Sequence, residues 1–363
     1  MTQFLFEESM VLAKHIQGVV SRSRNFFNAK SPGHYLINAI VPAETIPVRP
    51  LYDFDLDAQL TDWLDHKLAS ARPAWRAKEG LDDDGIPGIC PYFGIGEHSA
   101  WIGMEVRQQY DTSLPIPILD SPKDLSKLRL SEESKWFQYM KKGYDYLRSK
   151  QDGSFVLAIR GTMSPMDVAN AVRGDSLFLD FIENEEFVHR LLDYLVKAIS
   201  WYFGYLRTWA DEIDGGYITY ITGGWMGPNY FGHLSNDTAM LCAGSVYQKF
   251  GLPYEKELVK GYERILYHVH NEKLHYVPDL ATLPNLSLLE ITDDPKTTPS
   301  IEGLPRILAS TGKVNLMLHA TSDQVRKYID RLSERNVFFL TTCTDRKDAE
   351  DIVRFVRDRS KPI

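Results

Sequence analysis

From residue 85 onward, short apolar runs alternate with longer stretches whose apolar positions recur at helical spacing. This is the pattern of βα units that build a parallel sheet. The runs that predict strands are IPGIC at 86–90, FVLAIRG at 155–161, YITYITG at 217–223, ILYHVH at 265–270, LSLLEIT at 286–292, VNLMLHA at 314–320 and VFFLTTC at 337–343. An eighth is assigned between 104 and 119, around MEVRQQYDTSLPIPI. Helical periodicity fills most intervals, notably EEFVHRLLDYLVKAISWYFGYLRTWA and DQVRKYIDRLSERN. The last helix, DRKDAEDIVRFVRDRS, carries Asp near its start and basic residues near its end, as the helix dipole favours. Eight such units over about 280 residues predict an α/β fold of the TIM (β/α)8 barrel class. An open doubly wound sheet would call for a Gly-rich phosphate loop after an early strand, and GIGEHSAWIG lacks its third glycine.

The first 80 residues differ. LFEESMVLAKHI and LDAQLTDWLDHKLASA read as helices separated by the Pro-rich VPAETIPVRP. Residues 1–80 are therefore expected to form a helical extension packed outside the barrel, and residues 81–363 the barrel itself, within a single domain overall.

Composition narrows the function. A hydrophobic fraction of 44% and a charged fraction of 25% over 363 residues suit one large buried core. Seven Trp, 19 Tyr and 17 Phe are enough either to pack that core or to line a pocket for a flat, apolar small molecule. A formal charge of −8 with no basic run argues against nucleic acid. The acidic N-terminus and the lack of long apolar runs predict a cytoplasmic, non-membrane protein, its oligomeric state left open. Cys90, Cys242 and Cys343 are odd in number and far apart, which argues against a disulfide framework. Cys90 and Cys242 read as structural thiols in apolar segments.

In a barrel, polar residues at the C-terminal ends of strands build the site. His268 and His270 end one strand; Glu290, His319 and Cys343 lie at or near the ends of the next three. Residues two apart share a strand face, so His268 and His270 can converge on one ion, and Cys343 can add a thiolate. Two His and one Cys leave a fourth tetrahedral position, the layout of catalytic zinc. A pair of satisfied histidines and a buried thiol fit the same residues. Glu290 is a candidate fourth ligand or general base, and His319 a candidate acid or base. Asp237 reads as a proton carrier or as the N-cap of a helix. Arg160 is placed to hold a carboxylate or to pair with a neighbouring acid, and His98, beside Glu97, to face the substrate. Trp225 and Tyr230, in the Gly-rich GGWMGPNYFGH, read as an aromatic wall over a pocket or as packing.

With those residues in place, roughly residues 45 to 360 resemble the superfamily of uroporphyrinogen decarboxylase and methylcobalamin:coenzyme M methyltransferase. The features that carry the resemblance are IPGICPYFG, FVLAIRGTMSPMDVANAVRG, DTAMLCAGSVYQKFGLPYEKEL, YHVHNEKLHYVPDLATLPNLSLLEI and FFLTTCTDRKDAEDIVRFV. The resemblance implies a TIM barrel and one of two activities: cofactor-free decarboxylation, or zinc-dependent methyl transfer from a corrinoid protein to a thiol. The Arg-Gln-Ala-Gly-Arg motif of the decarboxylases is missing from the N-terminal region, which ranks a metal-free lyase of a carboxylated or tetrapyrrole substrate second. The methyltransferases bind zinc through His-x-Cys on a middle strand and a Cys ending the last. His268-Val269-His270 looks like the first element with His in place of Cys, and Cys343 like the second. Loss of one soft thiolate makes the metal a stronger Lewis acid. The resulting expectation is a zinc methyltransferase served by a methylcorrinoid on a partner protein, in which Cys343→Ala abolishes catalysis and weakens zinc binding without unfolding the chain.

Overall fold

The computed structural model describes residues 2–361 apart from 48 and 111. In chain order the strands are β1 (Tyr35–Ile40), β2 (Gly88–Ile89), β3 (Val106–Gln108), β4 (Ser113–Pro115), β5 (Val156–Leu157), β6 (Thr162–Met163), β7 (Gly216–Ile218), β8 (Trp225–Pro228), β9 (Tyr230–Ser235), β10 (Arg264–His270), β11 (Leu286–Thr292), β12 (Leu316–Thr321) and β13 (Val337–Thr342). Seven of them form one parallel sheet in the order β1-β13-β12-β11-β10-β9-β6. β2 and β5 make a separate parallel pair, tied to the sheet edge because β5 and β6 belong to one continuous segment. Buried runs such as LMLHA and VFFLT are apolar on both faces, as strands covered by helices outside and by side chains inside must be.

The result is an α/β fold of TIM-barrel type that, among the described residues, no continuous ladder closes. At the seam between β1 and β2, carboxylates take the place of a neighbouring strand. Asp84 accepts from Ile37 N at 2.8 Å and returns its own N–H to Ile37 O at 2.6 Å, while Asp83 accepts from Ala39 N at 3.0 Å. Asp84 is itself held by Arg22 Nε at 2.6 Å and Arg357 Nη1 at 2.7 Å, and Asp83 by Lys78. The fold thus uses one buried ion cluster to join α1 (Thr2–Asn28), the end of α2 (Leu56–Ala77), β1 and the C-terminal helix Arg346–Arg359.

The expected strand set is met in part. Residues 104–119 form an antiparallel hairpin, β3 with β4, rather than a barrel strand. Residues 217–223 divide: Thr219 bridges Ile159 in parallel, as a barrel strand would, while β7 pairs antiparallel with β8, and the turn between them accepts from Asn38 Nδ2 at Thr222 O, 2.8 Å, and from Ile86 N at Gly223 O, 2.9 Å. The seven-stranded sheet instead includes β1 and β9, which the apolar pattern did not flag. YLINAI lies among helical segments, so part of the supposed outer extension is inside the sheet. In YFGHLS, Gly232 and His233 interrupt the apolar alternation.

Trp225 belongs to the hairpin, not to a mobile wall. It packs with Val19 and Val20 of α1, Ile86, Ala158 and Ile218 in a small second core, and donates its indole N–H to Ile213 O at 2.7 Å. No helix among the described residues is long and apolar enough to cross a membrane. The three cysteines are free thiols.

Candidate functional site

Parallel register aligns His268 with Glu290, Glu290 with Met317, and Met317 with Phe338 across β10 to β13. Strand alternation then puts His268, His270, Glu290 and His319 on one face. His233 joins them from β9 by a route that glycine makes possible. At Gly232, with φ of +128°, a Cβ would sit 2.4 Å from Leu266 O, and at Gly161 a Cβ would sit 2.7 Å from His233 O. Side chains at either position would push β9 away and carry His233 off the cluster.

Three imidazoles converge on the buried carboxylate of Glu290. His268 Nδ1 donates at 3.1 Å, His319 Nε2 at 2.8 Å, and His233 Nε2 at closer range. His268 Nε2 faces His270 Nε2 at 3.4 Å, and His270 Nδ1 is fixed by Asp294 Oδ1 at 2.7 Å. Burial raises the pKa of Glu290, but the charge of His233 and hydrogen bonds from all three histidines overcome it and hold the group well below the carboxylate range. Burial lowers His268, yet bonding to Glu290 and the charges of Glu290, Asp237 and Asp294 raise it overall. Burial dominates His233 and lowers it. The cluster therefore holds an ionised Glu290, stabilised by the imidazoles around it.

Cys343 is not brought to this cluster. Alternation along β13 puts 338, 340 and 342 on the interior face and 343 on the other. Its N–H bonds to Ile40 O at 3.0 Å, its Sγ lies 3.6 Å from Thr341 O, and burial pushes the thiol up to about 11. Among the described residues, the His, Cys and carboxylate groups whose ligand atoms all approach within 4.8 Å are His233, His268 and Glu290. Two imidazoles and one carboxylate are a known catalytic zinc set with an open fourth position, so the residues present fit a metal: His268 and Glu290 are shared with the set the sequence suggested, and His233 stands where that set had His270 and Cys343.

The remaining candidates divide. Asp237 is not the N-cap: Asn236 caps that helix, accepting from Ala239 N at 3.0 Å, and Asp237 lies 3.6 Å from His270 Nε2. Arg160 is fully buried and paired with Glu97 at 3.3 Å, its guanidinium 4.4 Å over the Tyr92 ring, while its Nη1 has no partner. His98 Nδ1 is likewise buried and unpartnered, and burial, then Arg160 and His233, hold that ring well below its ordinary pKa. Tyr230 starts β9, is fully buried, and leaves its hydroxyl unpartnered near Glu290 instead of forming a lid.

Asp167 carries no signal in the sequence beyond that of a first-turn acid, three residues past the Ser164 N-cap in SPMDVANAV. It accepts from Asp237 N at 2.9 Å and Thr238 N at 2.7 Å, and burial followed by the charge of Asp237 raises it to about 7. An acid raised in the native state keeps its proton after the unfolded chain has lost it, so its contribution to stability falls as pH rises from about 4 to 7. Asp237→Asn removes the neighbouring charge and is expected to flatten that fall. Urea midpoints at pH 5 and pH 7.5 that change equally in both proteins would count against the coupling.

No family model matches the sequence, and no curated protein matches it. Among solved structures, the chain is similar to a methyltransferase from Methanosarcina mazei. The TM-score is 0.58 at 10% identity, over 94% of this chain and 98% of that one. At that identity the likeness is one of fold, and it agrees with the barrel class read from the strand pattern.

Proposed function

We propose that the protein is a metal-dependent methyltransferase that binds zinc through His233, His268 and Glu290 and passes a methyl group from a corrinoid-bearing partner protein to a thiol or similar nucleophile. The observation that carries this reading is the convergence of imidazoles on one ionised, buried carboxylate at the inner face of β9 to β12. The fold shared with a methyltransferase supports it. Zinc held there would lower the pKa of a bound nucleophile. Glu290 supplies the negative charge, His319 holds its second oxygen, and Asp294 orients His270 toward His268.

Equilibrium dialysis separates the two ligand sets. His233→Ala is expected to lose zinc by more than about a hundredfold, since disturbing even an outer-shell partner costs about 10- to 100-fold. Cys343→Ala is expected to keep it. Loss in Cys343→Ala with retention in His233→Ala would return the metal to His268, His270 and Cys343. Negligible uptake by wild type would favour a metal-free carboxy-lyase. That second reading draws on Arg160 Nη1, buried without a partner and suited to a substrate carboxylate.

A further inference from the structure

One cleft, of about 710 Å³ including its open side, lies between α1 and α2, but its Arg72 and Lys78 are already paired with Asp152 and Asp83. A second cleft, of about 400 Å³ including its open side, has a different chemistry. Its walls include Trp63, Tyr92, Phe93 and Tyr110, and its cations are Arg49 and Lys67. Trp63 and Phe93 stack with centroids 4.9 Å apart, so this wall is rigid and flat.

Lys67 is the unusual group. It is half-buried, and among the described residues no carboxylate lies within ion-pair distance of its ammonium. Its Nζ lies over the Trp63 ring, 5.9 Å from the centroid. The Cys90 thiol nearby is pushed up to about 12 by burial and so contributes no negative charge. Burial lowers the pKa of Lys67, as expected for an ammonium whose charge is uncompensated. Arg49 is little better matched: its guanidinium stacks 4.4 Å from Phe54, and Asp53 approaches only to 4.0 Å. In a chain with 41 basic and 49 acidic residues, two weakly paired cations on one aromatic cleft are an anion site in waiting.

We propose that this cleft binds a small aromatic monocarboxylate, its ring against the Trp63, Tyr92 and Phe93 walls and its carboxylate on Lys67. Ligand pockets span about 300–1,000 Å³, and 400 Å³ stands near the lower end, which favours one ring over a macrocycle or dinucleotide. The cleft adjoins the candidate site through Tyr92, whose ring also packs against Arg160. The inference concerns binding alone and does not require the metal.

Calorimetry on the full chain, stripped of metal with a chelator, tests it with benzoate, benzamide and acetate as probes. Benzoate is expected to bind at least about tenfold more tightly than benzamide, which lacks the charge, and than acetate, which lacks the ring. Lys67→Met is expected to lose at least about tenfold in benzoate affinity while Lys67→Arg retains it, with circular-dichroism melts showing both folded. Glu290→Gln should bind benzoate as wild type does, whatever becomes of its zinc. Absent benzoate binding, equal affinity for benzamide, unchanged affinity in Lys67→Met, or binding that requires zinc would each overturn the assignment.

Discussion

Glu290→Ala is expected to destabilise the protein by about 3–5 kcal/mol, because it removes the carboxylate on which three imidazoles converge and leaves the buried ring of His233 without its acceptor. Glu290→Gln separates charge from shape. The amide keeps an acceptor oxygen and the side-chain volume, so the expected loss of stability is smaller, about 1–3 kcal/mol. The electrostatic consequence is larger. Without the negative charge, His268 loses the interaction that raises its pKa, and the ligand set changes from two neutral nitrogens and an anion to three neutral donors. Zinc affinity is then expected to fall by more than about a hundredfold, beyond the range seen for outer-shell partners. Urea denaturation gives the first quantity and competition with a chelating dye the second. A Gln variant that binds zinc as tightly as wild type would make Glu290 an anchor for the histidines and nothing more.

How far this site could be read from the sequence depends on strand parity. His268 and His270 are two apart on a strand, and the reading that they share a face needed no structure. Glu290 on the next strand was also visible, because LSLLEIT is an apolar run with one acid in it. His233 was not, since its strand reads YFGHLS and the glycine that lets it approach the cluster also breaks the apolar alternation. The available clue was the pair Gly232–His233, a ligand-type residue beside a glycine with a reason to be there. Cys343 illustrates the converse. VFFLTTC puts a cysteine at a strand end, but parity counted from Phe338 turns 343 outward, so residue type alone misplaces it. The eightfold reading of the strands is mixed in the same way: 104–119 is an antiparallel hairpin, 217–223 divides between a parallel bridge to Ile159 and an antiparallel pair with β8, and β1 and β9 enter the main sheet unflagged. Length and alternation constrain the architecture even where individual segments are misassigned, because hairpins and barrel strands share a local pattern and differ only in their partners.

The seam between β1 and β2 is where the rest of the barrel's integrity is concentrated. Asp84 is fully buried and does two jobs: it accepts from Ile37 N, standing in for a strand that is not there, and it neutralises Arg22 and Arg357. Asp84→Ala removes both, and its expected cost is about 3–5 kcal/mol. The two functions are not equal. The Arg22 and Arg357 side chains retain some access to water and can turn outward, whereas the β1 amide cannot, so most of the loss should come from the orphaned backbone N–H and the empty space beside it. Asp84→Asn, which keeps an acceptor for Ile37 N, should therefore recover much of the stability despite losing the charge. Asp145→Ala, which breaks an exposed pair with Lys141, is the control and should cost less than about 1 kcal/mol. Equilibrium urea unfolding of the three variants ranks them. If Asp84→Asn proves as damaging as Asp84→Ala, the ion pairs with Arg22 and Arg357 hold the seam and the backbone bond is secondary.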